Sequence, residues 1–164
     1  MTSMRLQRLC LATLVLGGVF LIVGGVAEGA APGEQHRGQF TLYEHDTTRQ
    51  GIDLGDAGFS VGDLFVFGGN VSDRQGGPTI GRMAGQCTNT SDSEILCTAA
   101  FTLDGGQITF QGIVDTGTFF GGRPVDFAVT GGTGPYRNAR GILTGRILPE
   151  PPDGSDAQFI VRLN

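Results

Sequence analysis

Short apolar runs separated by glycine pairs are the feature that most restricts what this chain can fold into. After residue 32, the pairs occupy positions 68–69, 76–77, 105–106, 121–122 and 131–132. Glycine adopts positive φ without strain, so a glycine pair between two apolar runs is typical of a turn. Phe, Val, Ile and Leu recur within the runs, so the chain has the residues it needs to bury a core. The pattern therefore predicts many short strands joined by tight turns.

Eight of these runs have the length and composition of β-strands. In the first, Phe40, Leu42 and Glu44 would share one face, and Thr41 and Tyr43 the other. One apolar and one polar face per strand favours an antiparallel sheet. Closure removes exposed edges, so the predicted fold class is all-β, an eight-stranded antiparallel β-barrel, with a β-sandwich as the alternative. The predicted strands are 39–45, 63–69, 79–88, 94–103, 107–113, 125–130, 141–147 and 157–163. Longer loops are predicted at 49–59 and 115–123, and no helix after residue 32.

The N-terminal segment has the order of a secretory signal peptide. Arg5 and Arg8 precede an apolar stretch, Leu9 to Val26, and small residues suited to cleavage follow near Ala27 and Ala31. The alternative is an uncleaved membrane anchor, because the stretch approaches a spanning length. We therefore expect a signal peptide at 1–31, a flexible lead-in at 32–38 and one barrel domain at 39–164, secreted or otherwise extracytoplasmic.

Charge and composition exclude some function classes. The 16 acidic and 11 basic residues give a net charge of −5, and no basic face is evident, so nucleic acid is not expected as a partner. A membrane partner is expected only through the export segment, if that segment is retained. No cofactor and no metal site are predicted.

Cys87 and Cys97 are the two cysteines of the predicted mature part. In an oxidising compartment, two thiols so close in sequence predict a disulfide. Such a bridge would stabilise the fold by about 2–3 kcal/mol in the chain-entropy account. The alternative is a reactive or metal-binding pair, although the spacing fits no zinc pattern and both histidines lie far away in sequence.

Four stretches of the chain together carry a likeness to known sequences. Residues 60–67 (SVGDLFVF) resemble a second-strand motif of the allene oxide cyclases, and residues 80–85 (IGRMAG) resemble a motif shared by these cyclases and the dirigent proteins. Residues 106–112 (GQITFQG) resemble a further shared strand, and residues 127–136 (FAVTGGTGPY), continuing to Gly141, carry the strongest likeness. The resemblance implies an eight-stranded barrel, a homotrimer and a hydrophobic pocket.

The resemblance also implies a site. The first-strand carboxylate of the cyclases corresponds to Glu44, which burial would suit to general acid–base work. The alternative is a surface acid at an open strand end. By the same likeness and the strand alternation, the pocket would be lined by Phe40, Leu42, Phe65, Phe67, Phe110, Val114, Phe127 and Val129.

Several polar positions of the cyclases differ in this chain. Where the cyclases have an asparagine just after the carboxylate, this chain has Asp46. Where they have a second asparagine, it has Gly69, with Asn70 next to it, and where they have a tyrosine it has Val114. Arg140 matches the arginine of a dirigent alanine-arginine-glycine motif, with a salt bridge at the barrel rim as the alternative role. We count Asp46, Asn70 and Arg140 among the predicted ligand-binding residues.

These inferences predict an exported barrel that binds a small hydrophobic molecule and steers its cyclisation, isomerisation or coupling. A non-catalytic carrier of such a molecule and a structural cell-envelope protein with a filled barrel are the two alternatives.

Overall fold

The computed structural model describes residues 38–149 and 156–164. The predicted signal peptide at 1–31, and the lead-in up to residue 37, lie outside the described residues. Within the described part of the chain, no helix has both the length and the apolar character needed to cross a membrane.

The described chain is built almost entirely of antiparallel strands. The eight strands are β1 Gly38–Ile52, β2 Leu64–Ser72, β3 Gly81–Asn89, β4 Glu94–Leu103, β5 Gly106–Asp115, β6 Val125–Gly132, β7 Gly141–Ile147 and β8 Asp156–Leu163. A short helix, α1 (Thr116–Phe120), follows β5, and a single 3₁₀ turn, Gly134–Tyr136, follows β6. The loop predicted at 115–123 thus contains one helical turn that the sequence analysis did not predict.

The strands form a closed barrel in which each pairs with its neighbour in sequence and β8 returns to pair with β1. The β1–β8 register, for example Leu42 opposite Phe159, completes the cylinder. Closure satisfies the backbone groups that the two edges of an open sheet would leave unpaired. The predicted eight-stranded antiparallel barrel is therefore confirmed, and the sandwich alternative is wrong.

β1 is longer than the sequence indicated. It continues past His45 to Ile52, where Ile52 lies opposite Leu64, so the predicted loop at 49–59 begins too early. A register shift between Asp46 and Thr48 marks a bulge in β1. A bulge adds one residue to one strand and changes which later side chains share a face. Arg49, opposite Phe67, therefore joins Glu44 and Asp46 on the inner face.

One end of the barrel is filled with apolar side chains. We call this the closed end; it is where β1 begins and β2 ends. The largest fully enclosed side chains lie towards it, namely Val71, Phe101, Ile108, Leu143 and Val161. The opposite end, where β1 ends and β8 begins, is the open end.

The β1–β2 connection at the open end is organised by Asp63. Its carboxylate accepts hydrogen bonds from the backbone N–H groups of Leu54 (2.8 Å) and Ser60 (2.7 Å). The amide of Asn89 on β3 donates to the Ser60 carbonyl at 3.0 Å, which ties the loop to the barrel. The hydrogen bonds from Leu54 and Ser60 lower the pKa of Asp63 below its ordinary value near 3.8.

Asp63 should make the stability of the barrel sensitive to acid. A carboxyl whose pKa is lower in the folded state stabilises the fold above its unfolded pKa and loses that contribution as the pH falls through the folded value. We expect Asp63→Asn to lower the urea midpoint at pH 7, and the gap to the wild type to close as the pH falls well below 3.8. Circular dichroism across a pH series measures both midpoints. The exposed Asp92→Asn is the control, and a gap that stays constant with pH would count against this role.

Candidate ligand cavity

A cavity of about 710 Å³ enters the barrel from the open end. Its size falls within the range of pockets that hold a small organic molecule. Phenylalanine dominates the lining: seven of the chain's 11 phenylalanines contribute, namely Phe65, Phe67, Phe110, Phe119, Phe120, Phe127 and Phe159. The barrel thus has an apolar interior that its own side chains do not fill.

The polar side chains of β1 are graded by depth along one wall of this cavity. Glu44 is deepest and only 3% exposed. The Asp46 side chain is 14% exposed and the Arg49 side chain 46%. Arg49 Nε donates to Asp46 Oδ2 at 2.9 Å, so these two charges pair with each other towards the open end. The arrangement places a carboxylate well inside an apolar cavity and an ion pair nearer its mouth.

Glu44 has a prepared position in the wall. It lies opposite Ala157 on β8 and Val71 on β2. A Cβ placed on Gly69 would overlap both Glu44 Oε1 and the carbonyl oxygen of His45, so only glycine leaves room for the carboxylate. Where the resemblance led us to expect an asparagine, this chain therefore has the space that its buried acid requires.

The Cys87–Cys97 disulfide is present, as predicted. The two residues are direct partners in the β3–β4 register, and both line the cavity. The bridge therefore belongs to the cavity wall. Among the described residues, no group of three or more His, Cys, Asp and Glu side chains is placed to hold a metal ion.

The helix α1 places aromatic side chains at the mouth. Asp115 caps it, accepting hydrogen bonds from the backbone N–H and the hydroxyl of Thr118, both at 2.7 Å. These two bonds hold the pKa of Asp115 below its ordinary value, and the bond from the Thr118 hydroxyl has the larger effect. Phe119 then packs edge-on against Phe127 of β6, with ring centroids 6.1 Å apart. The cap thus fixes the point at which the aromatic lining begins.

The predicted site residues divide into three groups. Those that line the cavity are Glu44, Asp46, Phe65, Phe67, Phe110 and Phe127. Those that lie in or against the core without lining the cavity are Phe40, Leu42, Val114 and Val129. Those that lie elsewhere are Asn70, which lines a separate pocket with Tyr43 and His45, and Arg140, whose Nη1 donates to the Ala139 carbonyl oxygen at 2.6 Å near the closed end.

Several cavity residues are not among the predicted site residues. Arg49 was hidden by the bulge, which no local composition signals. Met83 and Phe159 lie in predicted strands, and alternation alone would have placed them inside. Phe119 and Phe120 were assigned to a loop, and the Asp-x-x-Thr cap at Asp115 was the available signal for a helical turn there.

The geometry defines a class of protein: a closed antiparallel barrel with an aromatic cavity open at one end. The sequence matches the allene oxide cyclase barrel like domain over residues 30–161, and the chain belongs to that family. Among curated proteins, no match to this chain was found.

Solved structures of the same architecture are similar to this chain. A pyocyanin demethylase is 28% identical, with a TM-score of 0.63, covering 77% of this chain and 99% of that one. AbnU, an exo-specific intermolecular Diels-Alderase, is 17% identical, with a TM-score of 0.58, covering 75% of this chain and 98% of that one. The pterocarpan synthase dirigent protein GePTS1 is 15% identical, with a TM-score of 0.58, covering 77% of this chain and 84% of that one.

Proposed function

We propose that this barrel binds a small hydrophobic molecule in its cavity and steers the cyclisation, isomerisation or coupling of that molecule. The observation that carries the proposal is a carboxylate, Glu44, only 3% exposed, in the wall of an apolar cavity of about 710 Å³. The cavity also argues against a structural protein with a filled barrel. A non-catalytic carrier would use the same cavity, so the role of Glu44 separates the two.

The cavity would act mainly by confinement. A flexible substrate held in its reactive geometry loses much of the entropic barrier to ring closure or coupling. Apolar walls exclude water, which protects reactive intermediates and strengthens electrostatic interactions. Glu44 would hold or move a proton, or stabilise positive charge that develops on the substrate. The Diels-Alderase neighbour, whose name denotes a ring-forming reaction between two molecules, supports this reaction class.

Glu44→Gln tests the catalytic role. The amide keeps the shape of the side chain but cannot exchange a proton, so we expect turnover to fall by about 10²- to 10⁴-fold. We expect little change in the unfolding midpoint. The substrate is first identified by mass spectrometry of small molecules released from the natively purified protein, and turnover is then followed by product formation.

Glu94→Gln is the matched control, because Glu94 is exposed at the start of β4 and lies outside the cavity. Retention of full turnover by Glu44→Gln would remove the catalytic role. A released molecule that wild-type protein binds but never converts would favour the carrier.

Demethylation of pyocyanin is a second candidate function. It is favoured by one observation, the 28% identity to a pyocyanin demethylase across 99% of that chain. With water as co-reactant, the methyl carbon would leave as formaldehyde and its two electrons would pass to the aromatic ring system of pyocyanin, which air then reoxidises. Incubation of the purified protein with pyocyanin in air, followed by liquid chromatography and mass spectrometry, should show formaldehyde and a product lighter by one CH₂ unit. Absence of that product at enzyme concentrations close to that of pyocyanin would exclude the assignment.

We further propose export with removal of the signal peptide, and a homotrimer. The disulfide suits an oxidising compartment. For self-association, the outer face carries Leu96 and Ile113 as cross-strand partners, 40% and 61% exposed. Native mass spectrometry of protein purified from its source measures both features. A subunit starting near residues 28–32 and an assembly of three subunits are expected; an intact N-terminus or a monomer would overturn the respective statement.

A further inference from the structure

Aromatic rings line opposite walls of the cavity. In the closed order of strands, β2 and β6 are separated by β3–β5 on one side and by β7, β8 and β1 on the other, so they face each other across the barrel. On β2, Phe65 and Phe67 stack with their ring centroids 5.9 Å apart. On the other side, Phe127 of β6 makes edge contacts with Phe119 and Phe110, at 6.1 and 5.5 Å.

Glycines lie beneath several of these rings. A Cβ placed on Gly85 would lie 2.7 Å from Phe67 Cζ, and one on Gly112 would lie 3.0 Å from Phe127 Cδ1. A Cβ on Gly145 would lie 3.0 Å from the Phe159 ring. Because no side chain lies between them, the rings lie close against the strand backbone instead of projecting into the centre. The middle of the barrel is left vacant between aromatic walls.

The lining lacks neutral hydrogen-bonding side chains. Within the described residues, no Ser, Thr, Tyr, Asn, Gln or Trp side chain contributes to the cavity. Its polar side chains are Glu44, Asp46, Arg49 and, at the mouth, Arg146. A bound molecule can therefore be recognised by charged side chains along β1 and at the mouth. The rest of the molecule would contact phenylalanine rings, the Met83 thioether and the disulfide.

We propose that the ligand contains a planar, fused-ring aromatic group and a polar group directed towards β1. Ring–ring contacts in offset or edge-on geometry add affinity beyond the apolar area they bury, and sulfur at a ring edge adds more. A saturated molecule of the same size gains affinity only from the apolar area that it buries. This inference rests on the proposed function, because it names the class of molecule that the cavity binds.

A matched pair of probes tests the preference. 2-Naphthol and decahydro-2-naphthol share a fused two-ring skeleton and a hydroxyl group, and only the first is flat and aromatic. We expect wild-type protein to bind 2-naphthol more tightly in equilibrium dialysis. Phe67→Leu and Phe119→Leu keep an apolar side chain but remove a ring, so each should weaken 2-naphthol binding about three- to tenfold. Binding of the saturated probe should change less than twofold.

Phe59→Leu is the control, since Phe59 is 60% exposed in the β1–β2 loop and lies outside the cavity. Phe119 lies in α1 and not in the sheet, so its variant remains informative if Phe67→Leu fails to fold. Tighter or equal binding of the saturated probe, or equal weakening of both probes by the leucine variants, would overturn the aromatic preference and leave the cavity in place. If wild-type protein binds neither probe and releases no native ligand, the proposed function fails as well.

Gly145→Ala gives an independent test of how the vacant centre is maintained. The added methyl group must displace the Phe159 ring, and the Phe127 ring at 3.2 Å, towards the lumen. We therefore expect weaker binding of both probes. Gly51→Ala on the exposed part of β1 meets nothing within 4 Å and should leave binding unchanged. Unchanged binding in a folded Gly145→Ala variant would show that the glycine does not set the cavity's width.

Discussion

Replacing Phe101 with alanine should destabilise the barrel by about 3–5 kcal/mol, the cost of removing a fully buried phenylalanine. Phe101 is 0% exposed, and its ring centroid lies 5.3 Å from those of both Phe110 and Phe159. Because Phe110 and Phe159 line the cavity, Phe101 also supports the aromatic wall from the closed end. Urea unfolding followed by circular dichroism measures the loss, which is a large part of the free energy that stabilises a domain of this size.

The matched control for this prediction is Phe59→Ala. It removes the same ring from a side chain that is 60% exposed, and we expect a change within about 0.5 kcal/mol. If Phe101→Ala costs no more than the control, the closed end is not the packed support that the buried cluster indicates. A large cost with an unchanged affinity for 2-naphthol would separate support of the fold from support of the cavity.

The fold was predictable because its signals are local and repeated. Glycine pairs marked the turns and alternation marked the strands. The pair at 105–106 lies at the β4–β5 hairpin, where Gly105 has φ 76°. The end of β1 was not predictable in the same way. Residues 47–50 are polar and residues 47–52 are all exposed. They are held in the sheet by pairing with β2, a contact between segments that composition does not show.

The site was predictable only where inward-facing and outward-facing side chains alternate along a strand without interruption. Alternation correctly predicted that the Glu44 side chain faces the interior. The bulge after Asp46 adds one residue, so the side chains that follow change faces and Arg49 also faces the cavity. Asn70 lies on the face of β2 opposite to that of Phe65 and Phe67, so its side chain does not line the cavity. The depth of a residue is a second unknown: Val129 points inward but lies beyond the cavity, in the core. Which inward residues meet a ligand depends on how far the closed end is filled, and that is a property of the whole barrel.

Reduction of the Cys87–Cys97 bridge should destabilise the oxidised protein by about 2–3 kcal/mol, because the bridge limits the conformations of the unfolded chain. The cysteines are 10 residues apart and are already partners in the β3–β4 register, so the folded state changes little when the bridge opens. Urea midpoints with and without dithiothreitol, under anaerobic conditions, measure the effect. Mass spectrometry after alkylation confirms that both thiols are free.

The double variant Cys87→Ala, Cys97→Ala distinguishes the bridge from general effects of the reductant. It should have a lowered midpoint that dithiothreitol does not change. Its loss should exceed that of the reduced wild type, because both side chains are buried, at 4% and 3% exposure, and truncation also removes packed sulfur. A wild-type midpoint that is insensitive to reduction would mean that strand pairing alone holds β3 against β4. The sulfurs would then matter only as part of the cavity surface, and reduction should alter the affinity for 2-naphthol without altering stability.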